Sequence, residues 1–142
     1  LLIVGMLALG NAMQNSGAME MIVDAISGPL THLSPLLALA LIYAATSVLT
    51  EVVTNNAVAV IMTPIGVGVA QTLGLDPRAF VVAIMFGASA SFATPIGYQT
   101  NTMVYNAGGY KFTYFLRLGL PRNILAGLVT VLLVPVFWPL QL

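Results

Sequence analysis

"LTEVVTNNAVAV", residues 49–60, puts one carboxylate, two threonines and two asparagines into a chain whose flanks are Ala, Val, Ile and Leu. The surroundings make this cluster expensive. The 142 residues are 59% hydrophobic and 6% charged, with a mean hydropathy of +1.01. A soluble domain carries about 25% charged residues. A chain this poor in charge cannot cover itself with a solvated surface and belongs in a bilayer. A charged side chain at the centre of a membrane helix costs on the order of 2.5–3.5 kcal/mol on insertion scales. Polar groups held at that depth face a cavity and bind something.

The same composition excludes several classes. There is no cysteine, hence no disulfide and no thiolate metal site. The net charge is zero, which removes any bulk electrostatic case for nucleic acid. A single histidine, His32, cannot make a transition-metal site by itself. No nucleophile–base pair or metal constellation is spelled out, so the expectation is a protein that is not an enzyme. The opening "LLIVGMLALGNAM" has no basic region and no cleavage site, so it is not a signal peptide. The chain is expected to be part of a longer protein.

Outward from the cluster, the pattern is helical throughout. The apolar arm before it (36–49) and the one after it (57–70) are each roughly 20 Å long as helices, short of the ~30 Å hydrocarbon core. As one helix they would run on the order of 50 Å with the polar residues at the centre. A re-entrant hairpin over 36–70 resolves this, two short helices entering and leaving by one face with the tip at 53–56. Such backbone survives only where protein buries it or where it lines a cavity. Residues 1–13 are expected to end a membrane helix. Residues 15–28, with Met19, Ile22, Val23 and Ile26 at helical spacing and Glu20 and Asp24 on another face, suggest an interfacial helix. Ser16 is its candidate cap and Gly28-Pro29 its stop. Asp76-Pro77 starts a helix over 78–107 that "TPIG" (94–97) breaks, and Gly108-Gly109 stops it. The last transmembrane helix is placed at 118–140, its apolar body at 124–140, with Trp138 as interfacial anchor. Lys111, Arg117 and Arg122 precede that body and read as cytoplasmic topology and headgroup charges, against Arg78 outside. The hairpin then opens from the outer face.

The tip at 50–56 and the break at 91–97 are two places where polar residues interrupt helices. Freed carbonyls with hydroxyl and amide oxygens make a hard-oxygen cage that suits Na⁺. The helix start beyond each break offers N–H groups to an anion. Short hairpins and broken helices at mid-membrane point to a secondary transporter's site.

"TEVVTNNA", then "SFATPIGYQTN", then "GGYKFTYFLRLGLPRNIL" resemble the C-terminal half of the divalent-anion/sodium symporters, the dicarboxylate and sulfate transporter family of the ion transporter superfamily. The resemblance covers essentially the whole chain. It implies an all-α membrane protein, the C-terminal inverted-repeat half of a multi-pass transporter in the cell membrane, with a re-entrant hairpin and a discontinuous helix. Thr54-Asn55-Asn56 takes the place of the family's Ser-Asn-Thr, departing at Asn56. Ala93, Thr94 and Pro95 take the place of its break. The implied Na⁺ ligands are Thr50, Val53, Thr54, Asn55 and Ala93, with the Thr50 and Thr54 hydroxyls on one face of the first arm. The implied anion ligands are Asn55, Asn56, Thr94 and Pro95. No cofactor is expected beyond Na⁺ as coupling ion. A homodimer and a second, inverted repeat in the N-terminal half are implied by the resemblance alone.

Blander readings stand beside these. Thr46 and Ser47 read as hydrogen-bond glue between helices. Glu51 is a functional candidate by location, but a structural role is expected, its carboxyl satisfied by backbone donors or protonated. Tyr98, Gln99 and Asn101 are candidate pathway residues. The expected function is Na⁺-coupled symport of a small divalent anion such as sulfate or a di- or tricarboxylate. The alternatives are a cation/proton antiporter or arsenite-type exporter with Glu51 titrating, and a non-transporting membrane subunit. Nothing resembles the repeated carbonyl filter of a channel.

Overall fold

The computed structural model describes residues 2–30 and 32–141. Seven helices follow one another: α1 (Leu2–Asn15), α2 (Ala18–Leu30), α3 (Pro35–Thr50), α4 (Asn55–Thr72), α5 (Pro77–Ser89), α6 (Gln99–Gly108) and α7 (Phe112–Phe137). Among the described residues there is no strand, only a single bridge between Leu75 and Gln141. The fold class is all-α.

Two interruptions organise the molecule. Residues 51–54 separate α3 from α4, and residues 90–98 separate α5 from α6. No straight helix runs through Asn55. The first interruption lies two residues earlier than the expected tip at 53–56, because Asn55 and Asn56 join the first turn of α4 with Thr54 as its N-cap. The expected stretch over 78–107 becomes α5, nine non-helical residues and α6. Asp76 caps α5 by accepting the Arg78 N–H at 2.9 Å, and Pro77 tolerates the first turn because it has no donor to lose there. Gly109 ends α6 with φ 61°, the left-handed conformation that glycine adopts without cost.

α5 packs against both α3 and α4. Leu39 of α3, Val58 and Val69 of α4, and Phe80 and Ile84 of α5 are fully buried at these contacts, and Val134 of α7 completes the cluster. Ser34 and Pro35, at the start of α3, share a hollow with Pro135 and Leu140. At the end of α4 the following turn is tied to the same region, since the Asp76 N–H donates to Leu140 O at 3.0 Å. Both outer ends of the α3–α4 pair therefore lie by the C-terminal end of α7. From that level α5, 13 residues long, descends ~20 Å to the second interruption.

Three boundaries differ from expectation. α7 starts at Phe112 rather than at 118, and ends at Phe137. Its register passes through Pro121 and Pro135, each of which removes an N–H from the ladder, and it packs on α3 and α5. α2 carries Pro29 inside its last turn instead of stopping before it. The helix expected to end at 13 runs to Asn15, and residue 1 of that segment lies outside the described residues. Gly17 (φ 72°) turns the chain into α2, and Ser16 Oγ accepts the Ala18 N–H at 3.4 Å. α7 is the one described helix long and apolar enough to cross a membrane by length and composition, with α3 and α5 apolar but shorter.

Candidate functional site at the junction of the two interruptions

Glu51 closes the first interruption onto the second. Its Oε1 accepts the N–H groups of Phe92 at 3.1 Å and Ala93 at 3.0 Å, and its Oε2 accepts that of Thr94 at 2.8 Å. Thr94 answers by donating its hydroxyl to Glu51 O at 2.6 Å. Asn123 of α7 adds a fourth donor, its Nδ2 to Glu51 Oε1 at 2.5 Å. The break at 93–97 thus lies against the tip, as the sequence led us to expect. Breaking a helix frees N–H groups that must be satisfied. One carboxylate satisfies three of them, which is the backbone-donor role expected of Glu51.

The carbonyls of the loop are held from its other side. Asn101 Nδ2 donates to Ser91 O at 2.9 Å and to Thr94 O at 3.1 Å, and Thr102 Oγ1 donates to Pro95 O at 2.5 Å. Ser91 Oγ donates to Thr50 O at 3.2 Å. Ser47 reaches Ala90 O at 3.4 Å, the interhelical glue foreseen, while Thr46 bonds back to Ile42 O within its own helix. Gly97 and Gly119 permit the close approach. A Cβ on Gly97 would stand 2.3 Å from Thr50 O, and one on Gly119 would stand 1.9 Å from Phe92 O.

Inside this frame four oxygen-bearing groups converge. Thr50 is fully buried and its Oγ1 donates to Ala88 O at 2.8 Å. The side-chain amide of Asn55 lies 2.7 Å from the same hydroxyl. With Nδ2 turned inward, that amide donates to Thr50 Oγ1 at 2.7 Å, Ala88 O at 3.1 Å and Gly97 O at 3.3 Å. With Oδ1 turned inward, four oxygens face one another with a single hydroxyl proton among them. The Nδ2-inward arrangement satisfies the cluster, because Oδ1 turned inward meets only acceptors.

The structure brings Thr50 and Asn55 together, and it brings Thr94 and Ala93 onto Glu51. It does not align Thr50 with Thr54. α3 ends at Thr50, so Thr54, four residues on, lies beyond the helix and is exposed. Among the described residues no hydrogen bond joins Val53, Thr54 or Ala93 to the Thr50–Asn55 cluster; the carbonyls that approach it are those of Ala88 and Gly97. Asn56 is exposed, Pro95 is buried, and Tyr98 and Gln99 are exposed at the start of α6. Neither Thr54, before α4, nor Tyr98, before α6, caps its helix with a side-chain hydrogen bond. Both helices therefore start at the junction with their first N–H groups free of a side-chain cap. Sequence reasoning missed Ala88 and Asn123. A carbonyl carries no sequence signal. Asn123 stood out only as a lone amide ahead of the apolar run 124–137.

Residues 1–140 match the citrate transporter family. An uncharacterized transporter of Synechocystis is 48% identical over 140 residues, which is 99% of this chain and 23% of that protein. An uncharacterized transporter of Escherichia coli is 32% identical over 139 residues, 98% of this chain and 23% of that protein. The sodium/sulfate cotransporter 1 of Chlamydomonas reinhardtii is 47% identical over 87 residues, 61% of this chain and 10% of that protein. The chain thus spans under a quarter of the length of these relatives. With a match over nearly all of its residues, this chain belongs to the citrate transporter family of membrane transport proteins.

Proposed function

We propose that the protein containing this chain is a secondary transporter that couples Na⁺ to the symport of a small divalent anion, sulfate or a di- or tricarboxylate. The observation that carries the reading is the convergence of Thr50 Oγ1, the Asn55 amide, Ala88 O and Gly97 O where two helix interruptions meet. Na⁺ takes neutral oxygen ligands readily. In its absence the Asn55 nitrogen, turned inward, supplies the positive end that the three oxygens need. Val53, Thr54 and Ala93 flank this cage. The anion is assigned to Asn55, Asn56, Thr94 and Pro95, between the uncapped starts of α4 and α6, where N–H groups and the helix dipoles favour negative charge. The name of the Chlamydomonas relative supports Na⁺ and sulfate, and the family's name supports citrate.

In the membrane, α3 and α4 act as a re-entrant hairpin over 36–70, and α5 with α6 as a discontinuous helix over 78–107. The shared level of the outer ends of α3 and α4 supports this, as does the ~20 Å depth of the junction. The positive-inside bias of Lys111 and Arg117 supports a cytoplasmic N-terminal end for α7. A homodimer and an N-terminal repeat completing the anion site remain part of the proposal. The antiporter reading needs a carboxyl free to exchange protons. Glu51 has both oxygens engaged by four N–H donors, which favours symport. Uptake of radiolabelled sulfate and citrate by the full-length protein in liposomes, with and without a Na⁺ gradient, tests the reading. Gradient-dependent accumulation is expected; Na⁺-independent exchange against protons would replace it.

A further inference from the structure

Because α7 begins at Phe112, Arg122 lies ten residues inside a 26-residue helix, ~15 Å from its first residue. Centred on a ~30 Å hydrocarbon core, that ~39 Å helix would set Arg122 on the order of 10 Å below the interface. Lys111 and Arg117, nearer the start of the helix, are the simpler headgroup charges. Arg122 is exposed, and its guanidinium turns toward the broken stretch. The Cζ lies 5.0 Å over the ring of Phe92, in the broken stretch. Among the described residues the Arg122 guanidinium makes no hydrogen bond and no ion pair, although it carries five N–H donors. A cation at membrane depth faces a cavity or an anionic partner.

The cavity is there. Arg122, Phe92, Asn101, Tyr110 and Tyr114 line a hollow of about 230 Å³ between α6, α7 and the broken stretch. At ~30 Å³ per water it holds the volume of roughly seven waters, enough for a small oxyanion with part of its hydration shell. No carboxylate lines it. Asn101 and Phe92 connect it to the junction, the one bonded to Ser91 O and Thr94 O, the other through its N–H to Glu51.

We propose that this hollow is a second anion-binding place, a vestibule in which Arg122 receives the transported anion between the basic face of the membrane and the junction. The proposal rests on the symport reading above. Tyr110, Tyr114 and the Arg122 fork supply donors that a sulfate or carboxylate accepts, and the single uncompensated cation selects for negative charge.

The test uses the full-length protein in neutral phosphatidylcholine vesicles of both orientations, with radiolabelled sulfate and citrate as probes. Arg122→Gln is expected to raise the half-saturating anion concentration at the basic face about tenfold, the loss of one charge-assisted contact. At the opposite face the shift is under about twofold, and the Na⁺ dependence holds. Arg122→Lys restores most of the loss. Arg122→Gln indistinguishable from wild type at the basic face overturns the proposal. So does a loss equal at both faces and matched by Phe92→Leu, which marks a packing role. An effect confined to vesicles containing phosphatidylglycerol assigns Arg122 to a lipid headgroup instead. Wild-type protein that moves neither anion overturns the symport reading and this inference with it.

Discussion

Replacing Glu51 separates a structural carboxylate from a working one. Its two oxygens take four donors, the N–H groups of Phe92, Ala93 and Thr94 and the Asn123 amide. In Glu51→Gln the side-chain oxygen can hold the Oε1 position and keep three of them. The new NH₂ then faces the Thr94 N–H, which Oε2 accepts at 2.8 Å in the wild type. One orphaned buried donor costs about 1–3 kcal/mol. In Glu51→Ala all four donors are orphaned, and the sum, which is not additive in detail, is on the order of 4–8 kcal/mol. That rivals the whole stability of a typical domain, about 5–15 kcal/mol. The assay is thermal unfolding of the purified full-length protein beside Na⁺-driven anion uptake in liposomes. Glu51→Gln is expected to melt lower yet keep Na⁺-dependent uptake, and Glu51→Ala to lose both. If Glu51→Gln melts like wild type and loses all coupling, the carboxylate is a working group and the antiporter reading gains. If Glu51→Ala is as stable as wild type, the clasp holds nothing.

Thr50→Val keeps shape and removes one oxygen from the cluster, so the Na⁺ concentration for half-maximal uptake should rise at least about tenfold, at ~1.5 kcal/mol per lost ligand. Thr54→Val, at an exposed position outside the cluster, should shift it less than about threefold, and the reverse order in a Na⁺ titration would return Thr54 to the cage. Gly119→Ala forces a methyl onto the Phe92 carbonyl, 1.9 Å from its oxygen, and should lower thermal stability by more than about 2 kcal/mol because backbone must move. Gly109→Ala, at φ 61°, should cost about 1 kcal/mol in the same melt and leave uptake intact, since it lies past the end of α6.

Composition decided that this chain belongs in a membrane, because 6% charge cannot solvate a surface, and the pattern of its apolar arms decided that it is helical. Local rules placed the Asp76 cap and the Gly109 stop, since caps and left-handed glycines are written in one or two residues. The polar islands at 50–56 and 91–97 were legible too, as stretches that hydrocarbon would reject, though the helix bounds around them were not. What touches what was not. Thr50 and Thr54 looked aligned at a spacing of four, but a helix keeps that alignment only while it lasts, and α3 ends at Thr50. Just past that end, Glu51 keeps a helical backbone while its carboxylate meets three N–H groups from 41 or more residues away. Ala88 and Gly97 enter the oxygen cluster through carbonyls, which every residue carries and no motif marks. Arg122 looked like a headgroup charge; the structure sets it ten residues inside α7 with its guanidinium over the Phe92 ring. Helix ends, depth and carbonyl direction come from packing between segments far apart in the chain, and packing is decided in three dimensions.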